Sequence, residues 1–266
     1  MQKYKEMLKY ELKNIFRDKM TLTILLMPVA ILLLAAFLIP KILNSTDSNS
    51  AQAMVGSIIA FITLISMGTF LIASLLAFVL LDRKDEKTLN TIAATPLSVS
   101  GYIKFQAVYN YILTIIMNLI LLIGLKLFAN DSYSFIANGS TFYLFGDLTY
   151  DKIIVFSIVS GLYMPALGLL LSGLANNKIE GFAYVKMSGF LIVIPILIVL
   201  QSFSGGLQYV LGIAPNFWAI KGLLVTVMPS NSSDMNFWLY MLIGAVYGLS
   251  INIPAYKFFI KRAMRS

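Results

Sequence analysis

Residues 20–40, 54–81, 105–125, 153–177 and 235–256 each run without a single Asp, Glu, Lys or Arg. A soluble core has no use for uncharged runs of that length. A bilayer core about 30 Å thick, in contrast, takes roughly 20 helical residues at about 1.5 Å each. Residues 187–220 form a sixth uncharged run, broken by Pro, Gly and Gln, and its first part is also long enough. Only 12% of the residues are charged, against roughly a quarter in soluble domains. The expected fold is an all-α membrane protein. Its transmembrane domain covers residues 20–256, with spans near 20–40, 54–81, 103–125, 153–175, 183–203 and 235–256.

The chain has no His and no Cys. Thiolate nucleophiles, disulfides, imidazole acid–base pairs and His/Cys metal sites are therefore excluded. Intramembrane proteases of the Ser-His or zinc type go with them, and no metal site is expected. The opening segment, MQKYKEMLKYELKNIFRDKM, is too long and too charged for a secretory leader, and no small-residue cleavage pattern follows the first apolar run. Residues 20–40 read as a retained first span.

Basic residues alternate between rich and poor segments. Lys3, Lys5, Lys9, Lys13, Arg17 and Lys19 precede span one, and Lys41 alone follows it. Arg83, Lys84, Lys87 and Lys104 follow span two; Lys126 and Lys152 flank the next loop. Lys178 and Lys186 follow span four, Lys221 stands alone after span five, and Lys257, Lys261, Arg262 and Arg265 close the chain. Because basic loops stay inside, both termini are expected in the cytoplasm, with residues 257–266 as a basic tail. The expected location is the plasma membrane, multi-pass. The net charge of +8 then serves orientation and contact with anionic membrane lipids. Nucleic-acid binding would need a sizeable basic soluble domain, and there is none.

Residues 1–19 place Tyr4, Met7, Leu8, Leu12, Ile15 and Phe16 at steps of three and four. That stripe predicts an amphipathic helix in the inner headgroup plane. Residues 44–53 read as a polar external loop. The aromatic-rich segment 129–151 fits an interfacial belt or a substrate exit. Residues 201–221 follow span five without reaching basic residues, and Ser204, Gly205 and Gly206 break the helix. An outer re-entrant hairpin before the last span accommodates them. Within the spans, Asn118 and Asn252 are polar, suiting either a pathway or interhelical hydrogen bonds. Pro165, Pro195 and Pro254 bend helices or mark their ends. Gly244 and Gly248 form a G-x-x-x-G face for close packing.

The densest charge cluster, Asp82 to Lys87, lies in the loop LLDRKDEKTLNTIAATPLS after span two. Beyond it, Leu89, Ile92, Ala93 and Leu97 form an apolar stripe on a short helix. Thr95-Pro96 marks a break, or Thr95 caps a new helix with Pro96 at its first position. An exposed amphipathic helix between two spans suits a partner's groove. This stretch resembles the integral-membrane permease family of ABC-2-type exporters, whose second span leads into a charged cluster, a Thr-Leu and a Thr-Pro-Leu/Val-Ser. Asp85, Thr88, Leu89, Thr95, Pro96, Leu97 and Ser98 match. Lys87 stands where the family usually has Gly, and Asn90 where it often has Glu.

The resemblance implies a homodimer, or a heterodimer with a similar permease, bound to two copies of a separate cytoplasmic ABC ATPase. Asp85, Glu86, Thr88, Leu89, Ile92, Thr95, Pro96 and Leu97 would form the ATPase-docking surface. The turn NNKIEG would give a second cytoplasmic contact through Asn177, Lys178 and Glu180. No G-x-x-x-x-G-K-[ST] occurs, so no cofactor is expected on this chain, and ATP and Mg²⁺ belong to the partner. The expected function is the permease subunit of an ATP-driven exporter, not an enzyme, moving amphipathic or hydrophobic cargo such as a drug or membrane-active peptide. The alternatives are a permease for a lipid-linked glycan and a non-transporting scaffold or assembly factor. A membrane enzyme would need clustered acids inside a span or a Ser-Lys pair, and neither is present.

Overall fold

The computed structural model describes residues 2–43, 51–88, 98–137, 140–200, 203, 205–227 and 234–263. Among them are six helices long and apolar enough to cross a membrane: Lys19–Ile42, Met54–Asp85, Val99–Ala129, Tyr150–Leu174, Lys178–Val199 and Phe237–Arg262. They are spans one to six below. A helix over Gln2–Ile15 precedes them. The expectation of an all-α, six-span membrane protein is met.

Spans two and four form the centre of the bundle, each with 72% of its apolar window buried, whereas span five has only 6% buried. The central pair owes its closeness to small residues. A Cβ on Gly168 of span four would stand 2.9 Å from the Ala73 carbonyl and from Leu76 Cβ of span two. In lipid, van der Waals contact at such small residues is what holds helices together.

Span one starts because Asp18 caps it, accepting from the Met20 and Thr21 backbone N–H groups at 3.1 Å each. Further along, a π-helical turn occupies Leu34–Leu38. Tyr133 donates its hydroxyl to the Ala35 carbonyl in that turn at 2.7 Å. Span four is interrupted at Leu162 and Tyr163, just before Pro165, which has no N–H to continue the ladder. Asn252 of span six donates to the Leu162 carbonyl at 2.7 Å, so the interruption is paired from a neighbouring helix. Gly244 lies against Val159 and Trp218, and Gly248 against Leu162 and Tyr163. The G-x-x-x-G face of span six is thus occupied within the chain.

The segment after span three departs from its sequence reading. It contains a two-stranded antiparallel hairpin, β1 (Ser134–Ala137) paired with β2 (Ser140–Tyr143). Its aromatics divide. Tyr143 and Tyr150 are exposed, but Tyr133 and Phe145 are buried beside Phe61. The buried pair is core rather than belt or exit. Lys126 holds the following turn by donating to the Phe145 and Leu148 carbonyls, at 3.1 and 2.6 Å.

After span five the chain forms a 3₁₀ segment, Gly205–Ile213, and a helix, Pro215–Val227. Trp218 donates to the Gly212 carbonyl at 3.0 Å and lies flat enough on Gly212 that a Cβ there would meet it at 2.6 Å. Lys221, expected as a lone loop cation, is buried and pairs with Asp234 at 2.9 Å.

Candidate functional site

The charged loop after span two and the turn after span four meet at one end of the bundle. Lys178 forms an ion pair with Asp82 at 2.7 Å, and its backbone N–H donates to Asp85 Oδ2 at 2.9 Å. Lys84 donates to the Ala175 and Ser172 carbonyls at 2.7 and 3.3 Å, closing the carbonyl end of span four, where a cation is favoured. Asn177 caps span five by accepting from the Glu180 N–H at 2.9 Å. Glu180 reaches back to the Asn176 N–H at 2.9 Å, a reciprocal cap close in form to a capping box. The side chains singled out in two separate stretches, Asp85 in one and Asn177, Lys178 and Glu180 in the other, therefore form one clamp.

Glu86 and Thr88 extend the same corner: Thr88 donates to Glu86 at 3.3 Å, and Arg83 lies 3.9 Å from it. Between them Lys87 has φ 52°, the left-handed region. A side chain there costs about 1–2 kcal/mol relative to the right-handed one. That is the physical reason for a glycine preference at this turn, and Lys87 adopts the turn regardless. Leu89, Ile92, Thr95, Pro96 and Leu97 lie outside the described residues. The chain re-enters description at Ser98, which caps span three by accepting from the Gly101 N–H at 3.1 Å.

The helix Gln2–Ile15 is tied to the same corner. Gln106 of span three donates to Glu11 at 2.6 Å and to the Tyr102 hydroxyl at 3.0 Å. Arg83 donates to Tyr102 at 3.2 Å and sits over the Tyr10 ring at 5.8 Å. Movement of the loop after span two thus reaches the amino-terminal helix and span three through direct bonds. Burial pushes the Glu11 carboxyl above the usual value of 4.5, with the Gln106 hydrogen bond and the Arg83 charge opposing it. At Asp18 burial pushes the same way, but hydrogen bonds from Thr21 and Met20 outweigh it and hold that carboxyl low.

A raised folded-state value at Glu11 has a definite sign. Its stabilisation is complete below the ordinary value and fades as pH rises through the folded one. Glu11→Gln keeps an acceptor for Gln106 and removes the titration. The variant is expected to lose the wild-type fall in melting temperature between a pH below the ordinary 4.5 and a neutral pH. Thermal unfolding in detergent at both pH values checks this, and parallel slopes for the two proteins would refute it.

Asn118 and Asn252 do not meet each other. Asn118 donates to Ser160 of span four at 2.8 Å. Asn252 serves the Leu162 carbonyl and its own Gly248 carbonyl, at 2.7 and 2.6 Å. Both link helices around span four. Two open volumes lie nearby. One, of about 590 Å³, is a groove between spans one, two and five, lined by Lys19, Thr23, Phe70, Ser74, Phe182 and Lys186 among others. The other is a cavity of about 220 Å³ among spans two, four, five and six.

The family described as "Fluoroquinolones export permease protein Rv2686c-like" matches residues 11–256. Two similar proteins come from Mycobacterium tuberculosis. They are the fluoroquinolones export permease proteins Rv2686c, of strain ATCC 25618 / H37Rv, and MT2760, of strain CDC 1551 / Oshkosh. Each is 27% identical over 244 residues, a stretch that covers 91% of this chain and 87% of the relative.

Proposed function

The chain belongs to the Rv2686c-like family of export permeases, and we propose that it is the membrane subunit of an ATP-driven exporter of amphipathic or hydrophobic compounds. It is an ABC-2-type exporter permease, a transport subunit rather than an enzyme. In the proposed mechanism a separate ATPase binds ATP and Mg²⁺, and closure of the ATPase pair pushes on the loop after span two. Both termini face the cytoplasm. The helix Gln2–Ile15 lies in the inner headgroup layer, and the stretch expected as an outer re-entrant hairpin, residues 201–221, enters from the outer side. The observation that carries the reading is the clamp of Asp82 and Asp85 on Lys178. It joins both loops expected to touch the ATPase into one surface, so a push on either moves spans two, four and five together.

A second copy of this chain, or a similar permease, covers span five. Only 6% of its apolar window is buried, so its own chain provides little to hold it. The adjoining groove is lined by Lys19 and Lys186 together with Phe70, Phe78 and Phe182, a surface suited to cargo with both polar groups and an aromatic body. Two copies would enclose such a groove, and two ATPases would match them. Purification from native membranes tests the reading. The complex is expected to retain an ATPase whose activity in lipid rises with a fluoroquinolone or a hydrophobic dye. A permease recovered without any ATPase would overturn it.

A further inference from the structure

We propose that the cavity of about 220 Å³ seats one planar, fused aromatic ring system of the exported compound. The inference rests on the exporter reading and names a site for it. The wall is mostly apolar, with Phe70 from span two, Tyr163, Ala166 and Leu167 from span four, and Ile251 from span six. Tyr163 and Ile251 stand near the midpoints of their spans. Interrupted helices at mid-depth are a common way for transporters to build a substrate site, and span four is interrupted here.

Two polar side chains break the apolar wall, Ser66 of span two and Asn216 at the start of the helix Pro215–Val227. They are 2% and 4% exposed, and Ser66 Oγ and Asn216 Oδ1 have no hydrogen-bond partner. Asn216 Nδ2 is committed to the Leu191 carbonyl at 2.6 Å, which fixes the amide and leaves its oxygen over. A buried polar atom left without a partner is destabilising, so two around one cavity call for an occupant that pairs them. An amide oxygen only accepts, whereas a hydroxyl does either. The occupant therefore carries at least one N–H or O–H donor on a flat apolar body.

Size narrows the class. A dry cavity of about 150 Å³ takes one benzene ring, so this one takes a fused bicycle. Whole drug-sized molecules need roughly 300–1,000 Å³, so the rest of the compound stays outside. Phe70 lines both the cavity and the groove. The ring thus lodges behind Phe70 while its polar remainder stays in the groove toward Lys19 and Lys186.

The test uses the full chain in lipid nanodiscs and 7-amino-4-methylquinolin-2-one, a fluorescent flat bicycle with N–H donors on the ring system, as the probe. Wild type should bind it saturably. Asn216→Leu should weaken binding about tenfold, the equivalent of one buried hydrogen bond. Ala166→Trp should fill the cavity and abolish binding, while Ile253→Trp on an exposed face of span six should change nothing. If Ala166→Trp does not elute as a single species, Ser66→Ala combined with Asn216→Leu replaces it. Equal binding by wild type and the cavity variants overturns the site, as does a phospholipid that the probe does not displace. Failure of the exporter reading looks different: the intact complex would then hydrolyse ATP without response to any such compound.

Discussion

Chains carrying Leu89→Asp together with Ile92→Asp are expected to insert all six spans and to lose the ATPase. The two positions lie three residues apart on the apolar stripe of the loop after span two. Burying one such side chain contributes about 1.5–3 kcal/mol, and a carboxylate in its place adds the cost of burying a charge. Loss of both should weaken the ATPase complex by a hundredfold or more, about 3 kcal/mol. The frame on either side would stay intact. Asp85 is bonded to the Lys178 backbone at one end, and Ser98 caps span three at the other. Pull-down of the ATPase, with protease mapping of the inserted chain, separates the outcomes. ATPase retained at wild-type levels would disprove docking at this stripe. A chain that no longer inserts would mean that the stripe holds the bundle itself.

The architecture was legible because an uncharged run of about 20 residues has few physical solutions. Sequence positions carry no distances, however. Asp85 and Lys178 were each noticeable, one in a charge cluster and one in a polar turn, yet they stand 93 residues apart and nothing local pairs them. Glu11 was passed over for a related reason. It lies four residues from Met7 and Ile15 and three from Leu8, on the apolar stripe itself, but Gln106 and Arg83, which pair with it, come from two other elements. The hairpin was a different kind of miss, since the sequence did carry its signal. Asn138-Gly139 between two aromatic-bearing runs is a strong two-residue hairpin pattern, overlooked in a chain otherwise read for helices. Lys221 also left a trace. A lone cation inside the run AIKGLLV needs a counter-charge if buried. Taking it for a loop residue hid the need for Asp234.

That ion pair carries the other large expected effect. Lys221 and Asp234 side chains are 9% and 4% exposed, 2.9 Å apart, and Gln208 adds a hydrogen bond to Asp234 at 3.0 Å. Three segments meet there: the 3₁₀ segment with Gln208, the helix with Lys221, and the approach to span six with Asp234. Removing one charge leaves the other buried and uncompensated, which costs about 3–5 kcal/mol. Lys221→Met or Asp234→Leu alone should therefore lower the melting temperature by roughly 10 °C. The double variant should recover most of it, because a well-packed apolar pair of similar volume avoids both desolvation costs. Thermal unfolding of the four proteins in one detergent completes the cycle. Near-additive losses would mean that the two side chains are not coupled. Single variants as stable as wild type would mean that water reaches the site, and the pair would then be a surface contact rather than the internal tie between these three segments.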